Sequence, residues 1–128
     1  MPITLVNEII EGFELSASHL NQAGLDGIEL VASHGYLLGQ FLNPKINLRT
    51  DKFGGSFEGR LRFLRHAIQA TRRGAGTEMI VGVRLSGEDK DYTENELDQM
   101  LEICSALDSE PDLDYLNITV GTSAGLAG

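Results

Sequence analysis

The chain has 128 residues, a formal net charge of −9 and one cysteine. That length sets one domain as the expectation. The acidic balance disfavours nucleic-acid and anionic-membrane partners, and a single cysteine excludes an intramolecular disulfide, which fits a reducing, cytoplasmic setting. No apolar run reaches transmembrane length and no signal-peptide pattern opens the sequence.

Residues 5–23 predict an amphipathic helix, with Val6, Ile9, Ile10, Phe13, Ala17 and Leu20 at helical spacing. Thr4 is its expected N-cap and Gly24 its stop. "DGIELVAS" then reads as a strand. A long connection, residues 34–55, follows with little periodicity after its first few residues. Ser56 is placed to cap a second helix carrying Phe57, Leu61, Leu64 and Ile68 on one face and ending near Gly74 and Gly76. "MIVGVRLS" reads as a second strand. Thr93-Glu94-Asn95-Glu96 is a capping-box pattern opening a third helix, with Leu97, Met100, Leu101, Cys104 and Leu107 as its apolar face. Pro111 ends that pattern, and "DYLNITVG" reads as a third strand.

Strands alternating with helices imply βαβ units and a parallel sheet, an α/β fold. Alternate strand residues point to opposite sides. Ile28, Leu30 and Ala32, then Val81, Val83 and Leu85, then Leu116, Ile118 and Val120 form one apolar face. The other face carries Glu29, Arg84 and Asn117. A doubly wound sheet is apolar on both faces, so one apolar face suits a barrel coated by helices on the outside only. Glu29 and Arg84 lie on consecutive strands and can pair, since an unpartnered buried charge is unfavourable. Arg84 also sits towards the strand's C-terminal end, where barrel enzymes hold their chemistry.

Residues 23–64, "AGLDGIELVASHGYLLGQFLNPKINLRTDKFGGSFEGRLRFL", resemble the fourth strand and following loop of the old yellow enzyme family of FMN-dependent NADH:flavin oxidoreductases. The branch most similar contains 2,4-dienoyl-CoA reductases, trimethylamine dehydrogenase and related N-demethylases. The resemblance joins AG-x-DG-x-E, HGYLL-x-QFL-x-P and N-x-RTD-x-[YF]GGS-x-E-x-R in one order, and continues more weakly through "VGVRLS" to "DYLNITVG". It implies a partial (β/α)8 TIM barrel running from the helix before strand four to just past strand six. Residues 1–128 would then be a fragment of the oxidoreductase domain.

The resemblance also implies roles. Tyr36 matches the tyrosine that donates a proton to the substrate carbon, and His34 the second of two positions that polarise a substrate carbonyl or touch the flavin ring. Arg84 matches the arginine at the flavin's pyrimidine edge. FMN is the implied cofactor and NAD(P)H the reductant. Val31 departs from the family, standing where the first hydrogen-bonding residue of the pair is common. That tilts the substrate towards a dienoyl-CoA or an amine. Gly59 departs too, where asparagine is frequent.

Several residues have plainer readings. Arg49 and Asp51 are expected to pin the long loop, and Gly54-Gly55 to make a turn. His19 and His66 are expected at the surface, and Cys104 as a buried small hydrophobe. No metal-ligand spacing and no dinucleotide fingerprint are present. Two readings of the chain follow. In one it is a segment of an FMN-dependent oxidoreductase, inactive and weak in FMN binding by itself. In the other it is a non-catalytic remnant that persists by self-association through exposed sheet edges.

Overall fold

The computed structural model describes residues 1–88 and 94–120. The elements are α1 (Ile3–Gln22), β1 (Gly27–Ala32), α2 (Leu37–Leu42), α3 (Phe57–Ala75), β2 (Ile80–Glu88), α4 (Glu94–Asp108) and β3 (Tyr115–Val120). The strands form one parallel sheet in the order β1-β2-β3. Gly27 to Ala32 pair with Ile80 to Leu85 in register, and Gly82 to Ser86 pair with Tyr115 to Thr119, with a bulge at Gly87.

The core lies on the face predicted to be apolar. Leu30, Ala32, Val81, Val83 and Leu85 are buried there against Val6, Ile10 and Ala17 of α1 and Leu61, Phe63, Leu64 and Ile68 of α3. The opposite face is open, with Val31, Arg84 and Tyr115 each about two-fifths exposed. On β3 the apolar face is only partly covered: Ile118 and Val120 remain 50% and 75% exposed. α1 and α3 pack closely at Gly74, where a Cβ would overlap the Glu14 carbonyl oxygen.

Some expectations need correction. α1 begins at Ile3 with Pro2, not Thr4, at the N-cap position. Proline's fixed φ suits a helix start, and the Pro2 carbonyl accepts from Val6 N at 3.2 Å. Gly24, at φ +82°, does follow the helix end, and Ser56 does cap α3, its hydroxyl accepting from Gly59 N at 3.0 Å. The connection after β1 is not all loop, because Leu37–Leu42 form α2 and bury Leu38, Phe41 and Leu42. On α4 it is Ile103 that is buried, while Leu101 is 67% exposed. Thr93 of the expected capping box lies outside the described residues. His66 is half-buried, its ring edge-on to Phe53 at 6.0 Å. Burial first, and then the charges of Lys52, Arg62 and Arg73, hold its pKa below the ordinary range.

The rest of the connection is locked by its own polar groups. Asn47 Nδ2 donates to the carbonyls of Phe41 (2.7 Å) and Phe53 (2.9 Å). Arg49 grips Asp51 through Nε (3.0 Å) and Nη2 (2.5 Å), and Asp51 also accepts from Phe53 N at 3.0 Å. These bonds seat Phe53, which is fully buried against Phe63. Gly54 has no room for a Cβ beside Arg49, and Gly55 takes φ +76°. Gly59 is explained by the same loop, since a Cβ there would overlap the Gly54 carbonyl oxygen.

Candidate functional site

The C-terminal ends of the strands hold a set of polar side chains, one level for each strand. Ser33 directly follows β1, and Ser86 and Thr119 are register partners on β2 and β3. They gather around His34. Its Nδ1 lies 2.7 Å from Ser33 Oγ and its Nε2 3.4 Å from Thr119 Oγ1, and its backbone N donates to Ser86 Oγ at 3.4 Å. His34 has φ +56°, the only described non-glycine residue in the left-handed region. Such a conformation costs about 1–3 kcal/mol and points from strain towards function.

Further along the open face, Glu29 is a hub. Its Oε2 accepts from Tyr115 Oη at 2.8 Å and Asn117 Nδ2 at 3.1 Å. Arg84 Nε lies 2.7 Å from Oε1, a charge contact in which the N–H is not aligned on the carboxylate. Loss of water alone would raise the Glu29 pKa, but Asn117, Tyr115 and the Arg84 charge outweigh it and hold the carboxyl below its ordinary range. Burial, then the Glu29 contact, pushes the Tyr115 phenol above its ordinary range. The Tyr115 ring reaches Glu29 by crossing Gly82, where a Cβ would overlap it. Glycine at 82 is therefore part of the network.

Of the three residues expected at the site, Arg84 and His34 belong to this strand-end region. Tyr36 stands just beyond, at the N-cap position of α2, with its residue 58% exposed and its backbone N bonded to Ser33 O at 3.1 Å. A cleft of about 230 Å³ lies between α2 and α4, bordered by Leu42, Ile46, Met100 and Ile103 and also by Ser33 and Ser86 of the strand ends, and none of the three lines it. Sequence reading missed Ser33, Ser86, Thr119 and Tyr115 as partners. Their signal was present: they occupy the same alternating positions as Glu29 and Arg84.

The arrangement presents donors on an open surface. Among the described residues the Arg84 terminal nitrogens engage no protein acceptor, and guanidinium only donates. A planar, electron-rich ring edge fits that set, and a flavin's pyrimidine edge is of this kind. No group of acids, histidines and cysteines suited to a metal occurs among the described residues, and no described helix is long and apolar enough to cross a membrane.

The sequence pattern of the NADH:flavin oxidoreductase / NADH oxidase family matches residues 1–119. The chain belongs to this family. Among curated relatives, N,N-dimethylglycine/sarcosine dehydrogenase of Chromohalobacter salexigens is 36% identical over 110 residues, covering 86% of the chain and 16% of the relative. The multifunctional alkene reductase/demethylase OYE of Caballeronia cordobensis is 38% identical over 116 residues, covering 91% and 16%. Among solved structures, morphinone reductase in complex with tetrahydroNAD superposes with a TM-score of 0.80 at 29% identity, covering 92% of the chain and 33% of the reductase. The chain thus spans 16% of the length of each of those two curated relatives. Its three parallel strands and their helices correspond to part of the family's (β/α)8 barrel, as the resemblance implied.

Proposed function

We propose that this chain is the part of an FMN-dependent NAD(P)H:flavin oxidoreductase that holds the flavin ring's pyrimidine edge and one side of the substrate pocket. The observation that carries this reading is Arg84. Its guanidinium is tethered at Nε by Glu29, its terminal nitrogens are unengaged, and it is 42% exposed on the uncovered face. When bound, FMN would supply two-electron transfer between the nicotinamide and the substrate. Arg84 would hold the ring edge and stabilise negative charge there. His34 would hydrogen-bond the ring or a substrate carbonyl. Tyr36 would hold the proton that the substrate carbon receives, acting as a general acid.

Val31 offers no hydrogen bond beside His34. Paired polarisation of an enone carbonyl is therefore disfavoured, and a dienoyl-CoA or amine type of substrate is favoured. The similarity to a dehydrogenase named for dimethylglycine and sarcosine supports the amine class.

The chain by itself should be inactive and bind FMN weakly. A complete barrel has about eight strands and typically about 250 residues, with its phosphate site after strands seven and eight. The three described strands carry ring-facing groups only. β1 and β3 are sheet edges, and β3 leaves Ile118 and Val120 uncovered, so self-association is expected. Titrating FMN into the purified chain, followed by flavin fluorescence, tests the first point. No saturation at low micromolar FMN is expected, with binding recovered in a complete barrel. Stoichiometric binding by the chain would show that an assembly of copies rebuilds the site. In the complete barrel Arg84→Ala should weaken FMN binding or shift its potential, and an unchanged affinity and potential would remove Arg84 from the site.

A further inference from the structure

We infer that Ser33 is a positioning residue that fixes the tautomer of His34, placing the imidazole proton on Nε2. The Ser33 residue is 2% exposed, and its Oγ lies 2.7 Å from His34 Nδ1. One of the two atoms must supply the hydrogen. If Nδ1–H donated, the Ser33 hydroxyl would have to send its own hydrogen elsewhere. Among the described residues Ser33 Oγ has no other polar partner, and although Ser33 borders the α2–α4 cleft, only 2% of the residue meets solvent. An unsatisfied buried donor is strongly disfavoured. Ser33 therefore donates, Nδ1 accepts, and the neutral ring carries its proton on Nε2.

The remaining contacts agree with this assignment. Nε2 faces Thr119 Oγ1 at 3.4 Å, a hydroxyl able to accept from Nε2–H. That separation is long for a hydrogen bond, so a stronger acceptor can displace Thr119. Turning the ring about its Cβ–Cγ bond to exchange the nitrogens would give up the Ser33 and Thr119 contacts together. The three strand-end hydroxyls thus act on one imidazole: Ser33 sets the proton, Ser86 holds the backbone, and Thr119 occupies the donor until a ligand arrives. The use of that donor towards flavin or substrate rests on the function proposed above. The tautomer itself does not.

The two can be tested separately. Long-range proton–nitrogen correlation spectra of histidine-labelled chain, at about pH 8.5 where an ordinary histidine is neutral, distinguish the tautomers. His34 signals are identified by their loss in His34→Gln. Wild-type His34 is expected in the Nε2–H form. In Ser33→Ala the ratio of Nε2–H to Nδ1–H should fall by roughly fivefold or more, the change expected from one lost hydrogen bond of ordinary net strength, while Thr119→Val should change it less than about twofold. A wild-type ring protonated on Nδ1, or a ratio that Ser33→Ala leaves unchanged, overturns the assignment. If Ser33→Ala fails to fold, Ser33→Gly removes the same hydroxyl, and the same fall in the ratio is expected. Failure of His34→Gln to alter FMN affinity or substrate turnover in a complete barrel would instead count against the proposed function and leave the tautomer standing.

Discussion

Arg72 offers the sharpest test of how the strands are held at the end opposite the candidate site. It projects from the last turn of α3, and its side chain is mostly buried. Its Nε donates to Asp112 O at 3.1 Å, Nη1 to Gly76 O at 3.0 Å and Met79 O at 2.7 Å, and Nη2 to Asp114 Oδ2 at 2.7 Å. Asp114 in turn accepts from Val81 N at 2.8 Å. One guanidinium therefore ties the helix end to the segments that enter β2 and β3. Hydrogen bonds to a charged group contribute roughly 1.5–3 kcal/mol each, but bonds sharing one residue are not additive, and carbonyls near the surface recover water. Arg72→Ala is accordingly expected to remove about 2–4 kcal/mol, a large part of a typical domain's stability. Arg72→Lys should recover less than half of that, because an ammonium is a compact charge and cannot reproduce the planar fork. Urea unfolding followed by far-ultraviolet circular dichroism measures both. A loss under about 1 kcal/mol for Arg72→Ala, or full recovery with lysine, would refute the fork argument.

Other outcomes follow from particular contacts. Gly74→Ala should destabilise despite a helix-propensity gain of about 1 kcal/mol, because the added Cβ meets the Glu14 carbonyl oxygen of α1; a raised urea midpoint would show that the two helices separate freely. Glu29 and Asp114 both have folded pKa values below their ordinary ranges, Glu29 through its donors against burial and Asp114 first through Val81 N and then Arg72. A depressed folded pKa gives stability that is present above the unfolded value and lost as pH falls through the folded one. Stability should therefore decline below about pH 4.5, and less so in a Glu29→Gln, Asp114→Asn double variant; an equal decline would place the acid sensitivity elsewhere. In a complete barrel Tyr36→Phe should slow reoxidation of reduced flavin by substrate by roughly 10²–10⁴-fold while sparing reduction by NADH. Equal loss in both half-reactions, measured by stopped-flow absorbance, would make Tyr36 a pocket wall.

Much of this was legible because two periodicities are unmistakable. The 3.6-residue spacing of Val6, Ile10 and Ala17 and the alternation of Val81, Val83 and Leu85 each identify an element and the face it buries. The polar residues left over on alternate positions then indicated the Glu29–Arg84 contact. Illegible features depend on contacts between distant segments. Nothing local marks Gly82 as the floor beneath Tyr115, or Arg72 as the clasp of two strands. Six-residue α2 is too short for periodicity to reveal, and it exists because Leu38, Phe41 and Leu42 have a core to enter. Leu101 misled because it lies beside the buried stripe of α4, and only packing decides that Ile103 turns inward instead.

On the function proposed above, the open face also explains why the ring-holding groups and the fold depend on each other. An exposed ion pair is worth little, with a median near 0–1 kcal/mol, so Arg84 and Glu29 add little to this sheet while Arg84 stays 42% exposed. Enclosing them in a barrel lowers the effective dielectric. At a separation of about 4 Å the attraction then grows from about 1 to about 4 kcal/mol, while the loss of water from both ions opposes it. Glu29 has acceptors enough for Tyr115, Asn117 and the Arg84 charge together. Arg84 has donors left over, and once water is excluded each needs an acceptor. A bound ring edge provides acceptors without adding a second carboxylate to the site. Closing the barrel and binding the flavin thus favour one another through the same guanidinium, and the gain is absent while the face remains open to water.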